Sequence, residues 1–267
     1  MLQTERLTIG TRTLTWRETG PPSSHVLVWL HAFPLSNEMW TAQMDMPGWR
    51  TIAPDLAGLG GSSDHDGAPD IADYARDTLA LLDHLGVGRV VLGGLSMGGY
   101  AAFAFHQIAA DRLRGLILAD TRSAADSPAG RIARETMLGL IEAKGASGVA
   151  DEMMPKLVGS TTHRTRPDVV AQVRQLIEAN SANGISRAVR RLRDRPDRTP
   201  ELSTISVPTL VVVGAEDALT PVDDSRSLAT AIRQATLTVL PGAGHLSNLE
   251  MPDGFNGAVR SWLPAIA

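Results

Sequence analysis

Short apolar runs alternate with stretches of helical periodicity along most of the chain. Most of the runs are rich in valine, leucine and isoleucine, a composition typical of buried strands. They occupy residues 26–30, 49–54, 89–93, 113–120, 207–213 and 236–240. The polar–apolar alternation at 7–9 and 12–18 instead predicts two antiparallel strands at the start of the chain. Because helical patterns separate the later strands, we predict an α/β protein with a mostly parallel central sheet and helices on both faces.

The pattern changes in the middle of the chain, where helical periodicity continues without any strand-like run. Candidate helices there occupy residues 128–142, 149–157, 167–180 and 184–193. We therefore predict a core formed by residues 1–121 and 200–267, interrupted by an all-helical insertion at 122–199. Such an insertion is expected to form a cap over the ends of the strands.

The amino-acid composition indicates the class of protein and excludes some kinds of partner and site. A hydrophobic content of 43% and a net charge of −4 indicate a globular protein without a polyanionic partner such as nucleic acid. The arginines clustered at 187–198 alternate with aspartates and are interpreted as a solvated helix face. The absence of cysteine excludes disulfides, thiol catalysis and cysteine metal sites.

The sequence contains neither a signal-peptide pattern at its start nor an apolar run approaching the length of a membrane span. We therefore expect a cytoplasmic protein without membrane contact. No feature of the sequence predicts the oligomeric state.

A serine between two glycines, at the junction of a strand and a helix, is the first candidate for chemistry. Ser96 lies in Gly94-Leu95-Ser96-Met97-Gly98, a pattern typical of a nucleophile elbow. Such a turn is strained, and its backbone approaches its neighbours too closely for larger residues. The alternative is that Ser96 lies in a glycine-rich turn without a chemical role. A catalytic role for Ser96 therefore also requires a base and an acid elsewhere in the chain.

His245 and Asp217 are the candidate base and acid. Each follows a predicted strand, and ligands of parallel sheets bind at the carboxyl ends of the strands. The chain order serine, acid, histidine is the one used on this type of sheet. Asp120, which also ends a strand, is the alternative acid. Helix capping by Asp217 and a surface-loop position for His245 are the non-catalytic interpretations.

Backbone N–H groups are the candidate donors to a developing oxyanion. Phe33 follows the strand beside the elbow, and we predict that its N–H and that of Met97 form an oxyanion hole. His31 is interpreted as a side chain that fixes this loop by hydrogen bonds, and Asp55 as a residue that stabilises the turn after the next strand.

Five ordered motifs resemble the α/β-hydrolase superfamily, in particular small bacterial esterases, enol-lactonases and cofactor-free haloperoxidase-like members. They are His31-Ala32-Phe33-Pro34-Leu35, the loop Asp55–Ser62, the elbow, Gly214-Ala215-Glu216-Asp217 and Gly242-Ala243-Gly244-His245. The resemblance implies that Ser96 is the nucleophile, His245 the base, Asp217 the orienting acid, and Phe33 and Met97 the backbone donors. Ala32 departs from the glycine usual in these relatives and is expected to narrow the oxyanion loop.

The substrate is expected to be a small-molecule ester with a small to medium acyl group. A lactone, or perhydrolysis with peroxide, is the alternative, and a non-catalytic ligand-binding protein is a remote one. No cofactor or metal is expected. The predicted pocket residues are Ala32, Trp40, Met137, Leu138, Ile141, Leu219 and Leu246, with Met153, Met154 and Leu157 as further candidates. Arg122 and Arg134 are candidates for binding a substrate carboxylate.

Overall fold

A computed structural model of the chain describes residues 3–22 and 25–266. The outer ends of the predicted core, residues 1 and 267, lie outside the described residues. The strands are β1 (Thr4–Ile9), β2 (Arg12–Thr19), β3 (His25–Leu30), β4 (Trp49–Pro54), β5 (Val90–Leu95), β6 (Leu113–Ala119), β7 (Thr209–Gly214) and β8 (Ala235–Leu240). The α-helices are α1 (Ala72–His84), α2 (Met97–Ala109), α3 (Pro128–Leu157), α4 (Ser160–Thr165), α5 (Pro167–Glu178), α6 (Ala182–Asp194), α7 (Val222–Ala231), α8 (Ser247–Glu250) and α9 (Pro252–Trp262).

The described strands form one sheet in the order β1-β2-β4-β3-β5-β6-β7-β8. The pairs β1–β2 and β2–β4 are antiparallel, and every other neighbouring pair is parallel. The predicted mostly parallel α/β sheet is therefore confirmed. All residues of β4, β5 and β7 are buried, as expected for strands covered on both faces.

The parallel pairing brings the carboxyl ends of six strands, β3 to β8, to one edge of the sheet. Ser96 follows β5 directly, and Asp120 follows β6 directly. Asp217 and His245 lie in the loops that leave β7 and β8, while His31 follows β3. The topology thus collects on one edge the side chains that the sequence singled out.

Helices α3–α6 all lie between β6 and β7 and form the helical insertion, a name used here for residues 122–199. The two helices predicted at 128–142 and 149–157 are joined in α3, which is interrupted at Gly145 (φ 62°, ψ −154°). A positive φ is accessible to glycine without a side-chain clash, so the helix bends at this residue. The short helix α4 has too few residues to show a period, and the sequence did not predict it.

The arginine cluster at 187–198 is only in part the solvated face that the sequence indicated, because Arg190 is exposed but two other arginines are buried. Arg191 is fully buried and Arg195 is 2% exposed. Buried arginines require acidic or carbonyl partners, which come here from distant parts of the chain. Asp64 and Asp126 are the main acidic partners.

None of the helices within residues 3–22 and 25–266 combines the length and apolar character needed to cross a membrane.

Candidate active site

Ser96 stands in a strained turn between β5 and α2. Its backbone has φ 54° and ψ −111°, a conformation that costs about 1–3 kcal/mol for a residue with a side chain. Hydrogen bonds hold it there, because its N–H donates to the carbonyl of Ala119 at 2.9 Å and its own carbonyl accepts from Thr121 Oγ1 at 2.9 Å. A Cβ on Gly98 would overlap the carbonyl oxygen of Leu30, which explains the requirement for glycine two residues after the serine.

His245 is oriented by Asp217. The two side chains are 2% and 0% exposed, and Nδ1 of His245 lies 2.8 Å from Oδ2 of Asp217. The same carboxylate accepts from the N–H groups of Leu219 (2.8 Å) and Thr220 (2.9 Å) and from Thr220 Oγ1 (2.7 Å). Burial alone would raise the pKa of Asp217, but the charge and hydrogen bond of His245, with the bonds from Thr220, hold this pKa below its ordinary value.

Ser96 and His245 open into one cavity of about 80 Å³ between the core and the helical insertion. Residues of the core line one side of it: Phe33, Ser96, Tyr100, Leu219, Thr220 and His245. Residues of the helical insertion line the other side: Arg122, in the connection before α3, and Arg134, Met153, Leu157 and Leu192, in the helices. A hydroxyl, an imidazole fixed by a carboxylate, two arginines and several apolar side chains therefore meet in one cavity. Such a space is suited to a small organic molecule.

Asp120, the alternative acid, makes other contacts. Its carboxylate accepts from the Gly214 N–H at 2.8 Å and contacts the Ser247 hydroxyl, and it is fully buried. Burial, followed by repulsion from Asp217, raises the pKa of Asp120 well above its ordinary value. Within the described residues, His245 is paired with Asp217 and not with Asp120.

The N–H groups of Phe33 and Met97, the two predicted backbone donors, differ in their hydrogen bonding from the N–H of Ala32, the residue before Phe33. The Ala32 N–H donates to Met39 Sδ at 3.2 Å, whereas the N–H groups of Phe33 and Met97 have no acceptor among the described residues. Met97 is the first residue of α2, where N–H groups lack a partner within the helix. Phe33 lines the cavity, so its N–H belongs to a segment that reaches the space beside Ser96.

His31 and Asp55 connect the loops that follow β3 and β4, as the sequence predicted. His31 Nε2 accepts from the Leu56 N–H at 2.9 Å, and Nδ1 lies 3.0 Å from the Ala32 carbonyl. Burial, opposed by the charge of Asp55, lowers the pKa of His31 and favours its neutral form. Asp55 accepts from Thr15 Oγ1 (2.8 Å), from the Asn37 N–H (2.8 Å) and from the Gly61 N–H (3.0 Å).

Most of the predicted pocket residues lie outside this cavity. Leu219 lines it, but Ala32, Trp40 and Leu246 are fully buried elsewhere, and Trp40 stacks on Trp29 with ring centroids 4.5 Å apart. Met137, Leu138 and Ile141 also lie outside it, and the last two border a groove on the outer side of α3 and α6. Helical periodicity shows that one face of a helix is buried without showing against which partner.

Three residues of the cavity wall were not predicted: Tyr100, Leu192 and Thr220. Tyr100 stands four residues after Ser96, one turn into α2, so helical spacing alone places it on the same side. Thr220, three residues after Asp217, carries the Asx-type turn signal that would have identified it as a partner of the acid. For Leu192 the sequence carries no comparable signal.

The described residues contain no group of three or more His, Asp or Glu side chains placed to bind a metal ion.

Comparison with known proteins gives a consistent result. The profile of the alpha/beta hydrolase family matches residues 27–258. An esterase from Thermogutta terrifontis, solved with malate bound, is 38% identical with a TM-score of 0.93, and the match covers 99% of each chain. The 3-oxoadipate enol-lactonase 2 of Acinetobacter baylyi is 29% identical over 96% of this chain and 95% of its own. An enol-lactonase structure from Burkholderia xenovorans LB400 is 26% identical, with a TM-score of 0.89, over 97% of this chain and 100% of its own. The chain therefore belongs to the alpha/beta hydrolase family and is a hydrolase with an α/β-hydrolase fold.

Proposed function

We propose that the protein hydrolyses carboxylic esters of short acids through an acyl-enzyme on Ser96. The observation that carries this proposal is the buried hydrogen bond between His245 and Asp217, in a cavity that also contains the strained Ser96. Esterases and enol-lactonases among the relatives support the same type of chemistry, because both act on a carbonyl bonded to oxygen.

In this mechanism His245 is the general base. Its Nδ1–H donates to Asp217, so that Nε2 is free to accept the proton of Ser96 Oγ as the oxygen attacks the substrate carbonyl. The ester carbonyl oxygen becomes negatively charged and accepts from the N–H groups of Phe33 and Met97. The C–O bond then breaks, and the imidazolium returns its proton to the departing alkoxide.

The second half of the reaction releases the acid. A water molecule loses a proton to His245 and attacks the acyl-enzyme carbonyl, and Ser96 leaves with the proton returned by the imidazolium. Asp217 stabilises the positive charge of the imidazolium in both halves, and its lowered pKa favours the ionised form that this role requires.

The helical insertion is proposed to act as a cap. Arg134, Met153, Leu157 and Leu192 contribute one wall of the cavity and limit its contact with solvent. Excluding water strengthens the electrostatic contacts of the reacting groups. A small-molecule substrate and a cytoplasmic location remain expectations from the sequence.

Lactone hydrolysis is the second candidate function. Two of the enzymes compared above are named enol-lactonases, and they match nearly the whole chain. The same groups would open a lactone, with the alkoxide staying attached to the acyl-enzyme. Perhydrolysis would need only that peroxide replace water in the second half.

The substitution Ser96→Ala tests the nucleophile. We expect kcat to fall by about a thousandfold or more on p-nitrophenyl esters, since the three side chains act as a unit. A fluorophosphonate probe should label Ser96 in the wild type and leave the variant unlabelled, as read by peptide mass spectrometry. Ser186→Ala, in α6 and outside the cavity, is the matched control. Retention of ester turnover by a folded Ser96→Ala variant would refute the proposal.

A series of p-nitrophenyl esters of increasing acyl length, assayed beside several lactones, separates the two candidate functions. A higher kcat/KM for lactones than for all open-chain esters would favour the second candidate.

A further inference from the structure

Two arginine side chains face the same cavity as Ser96 and His245. Arg122 lies in the segment that follows β6, and Arg134 lies in the first part of α3. We propose that these two arginines form a subsite for a carboxylate, so that the substrate is an ester or lactone whose acid part carries a second, ionised carboxyl group. This inference rests on the proposed function, because it assigns the substrate class of the same site.

The charges around the cavity are not balanced by the protein. Asp126, with a side chain 1% exposed, is the one acidic partner of Arg122, Arg134 and Arg195 within ion-pair distance among the described residues. Asp224 is near enough to Arg122 for their charges to interact, but it forms no ion pair with it. Three guanidinium groups thus share one carboxylate. The side chains of Arg122 and Arg134 are 32% and 24% exposed, so solvent reaches their charge in the free protein, and a bound carboxylate would take the place of that solvent.

Arg195 is the structural member of the three. It forms an ion pair with Asp126 at 2.8 Å and donates to the Leu192 carbonyl at 2.7 Å and to the Ala124 carbonyl at 3.0 Å. Its guanidinium also lies 4.2 Å from the centre of the Tyr100 ring. These contacts occupy both terminal nitrogens of Arg195, while its buried Nε has no partner among the described residues. Arg195 is set apart from the other two because it does not line the cavity.

The other two arginines keep unused donors. Arg134 is bonded to Asp126 through Nε alone (2.9 Å), and its two terminal nitrogens have no acceptor among the described residues. Arg122 reaches Asp126 only through a long contact of 3.4 Å from Nη2, and its buried Nε has no partner. A guanidinium presents its donors as a planar fork that matches the two oxygens of a carboxylate. The free donors therefore match a carboxylate within the cavity.

The size of the cavity limits the rest of the substrate. A volume of about 80 Å³ favours a short acid part between the carbonyl that Ser96 attacks and the carboxylate. Monoesters of short dicarboxylic acids, and lactones of short hydroxy dicarboxylic acids that keep one free carboxyl group, meet both conditions.

The test compares two methyl esters of similar acyl length, methyl hydrogen succinate and methyl butanoate. Hydrolysis of both is followed by titration of the acid released at constant neutral pH. We expect the wild type to show the higher kcat/KM for the anionic ester. The substitution Arg122→Met should lower the ratio of the two kcat/KM values by about tenfold or more, because bonds to charged groups are strong.

Arg122→Met is the informative variant, because Asp126 stays paired with Arg134 and Arg195. Arg134→Met removes the closer contact to Asp126, so its folding must be checked by thermal unfolding. Arg131→Met is the matched control, since Arg131 is exposed on the same helix and outside the cavity. It should leave the ratio unchanged.

The outcomes separate the subsite from the proposed function. If the wild type hydrolyses both esters and Arg122→Met does not change their ratio, the subsite is wrong and the function stands. If neither ester is hydrolysed, calorimetric binding of succinate decides, since it needs no turnover. Succinate binding that is weaker in Arg122→Met than in the wild type supports the subsite even without turnover. Binding that is equal in the two proteins, or absent from both, overturns the subsite.

Discussion

At the scale of single residues, the candidate acid is distinguished by its partners. Asp217 and Asp120 both end parallel strands and both are buried, so position and burial do not separate them. Asp217 is bonded to His245 and accepts three further hydrogen bonds, which favour its ionised form. Asp120 lacks a cationic partner among the described residues, and its raised pKa favours the neutral acid. Asp217 is therefore expected to be ionised and Asp120 neutral, although the two residues follow neighbouring strands of the sheet.

The substitutions Asp217→Asn and Asp120→Asn are therefore expected to differ. Asp217→Asn removes the charge that selects the His245 tautomer, and kcat should fall by about a thousandfold or more. Asp120→Asn replaces a carboxyl group by an amide of the same shape as its protonated form, so most of kcat should be retained. Steady-state ester hydrolysis measures both, with circular dichroism to establish folding. Loss of activity in Asp120→Asn alone would transfer the role of the acid to Asp120.

At the scale of elements, the loops that carry the candidate acid and the candidate base are attached to the helical insertion. Glu216, beside Asp217, accepts from the Thr161 N–H at 2.8 Å, and Glu250 accepts from the Gly159 N–H at 2.8 Å. Glu250 also accepts from the N–H of Leu246, the residue after His245, at 3.1 Å. The turn between α3 and α4 and the loop after β8 thus share one buried carboxylate. A displacement of the insertion at this turn would be transmitted to His245.

The substitution Glu250→Gln tests this attachment. It replaces one acceptor oxygen by an N–H₂ group that faces an N–H donor, and an unsatisfied buried donor costs about 1–3 kcal/mol. We expect lower stability in urea unfolding and a lower kcat, because His245 loses its support. Glu152→Gln is the control, since Glu152 pairs with Lys156 on the exposed face of α3. Equal effects of the two substitutions would show that Glu250 does not support the His245 loop.

The elements also show what could be predicted from the sequence. Ser96, Asp217 and His245 were identified because each follows a strand within a short local pattern, and the sheet topology brings such positions together. The cavity wall was predicted poorly because it depends on how α3 and α6 dock on the core. Met137 and Met153 both fit the helical period of α3, but only the latter faces the cavity, beyond the bend at Gly145. A bend of this kind changes which face of the helix meets the core.

At the scale of the whole molecule, the helical insertion is held on the core by a buried arginine. Arg191 of α6 donates to Asp64 through Nη2 at 2.5 Å and Nη1 at 3.2 Å, and to Asp73 at 3.2 Å. Its guanidinium lies 4.9 Å from the centre of the Tyr74 ring. Asp64 is 127 residues away in sequence, which is why an arginine in a charged helix was interpreted as solvated. Burial of this kind follows from the docking of two units and leaves no local pattern.

The substitution Arg191→Met should destabilise the protein by about 3 kcal/mol at neutral pH, since Asp64 and Asp73 lose their buried partner and keep only the more exposed Arg187 and Arg76. Arg193→Met is the control on the same helix, because its ion pairs with Glu135 and Asp194 are exposed and such pairs contribute about 0–1 kcal/mol.

The destabilisation caused by Arg191→Met should also depend on pH. Burial alone would raise the pKa of Asp64, but the hydrogen bond and charge of Arg191, with the hydrogen bond of Arg187, outweigh burial and hold this pKa below its ordinary value. A carboxyl group with a depressed folded-state pKa contributes stability above its unfolded pKa of about 3.9, and that contribution is lost as the pH falls through the folded value. The difference in unfolding free energy between the wild type and Arg191→Met should therefore have its largest value at pH 7 and become smaller below about pH 4. Urea unfolding at pH 7 and pH 3 measures it, and a difference independent of pH would show that Asp64 is not the group that compensates Arg191.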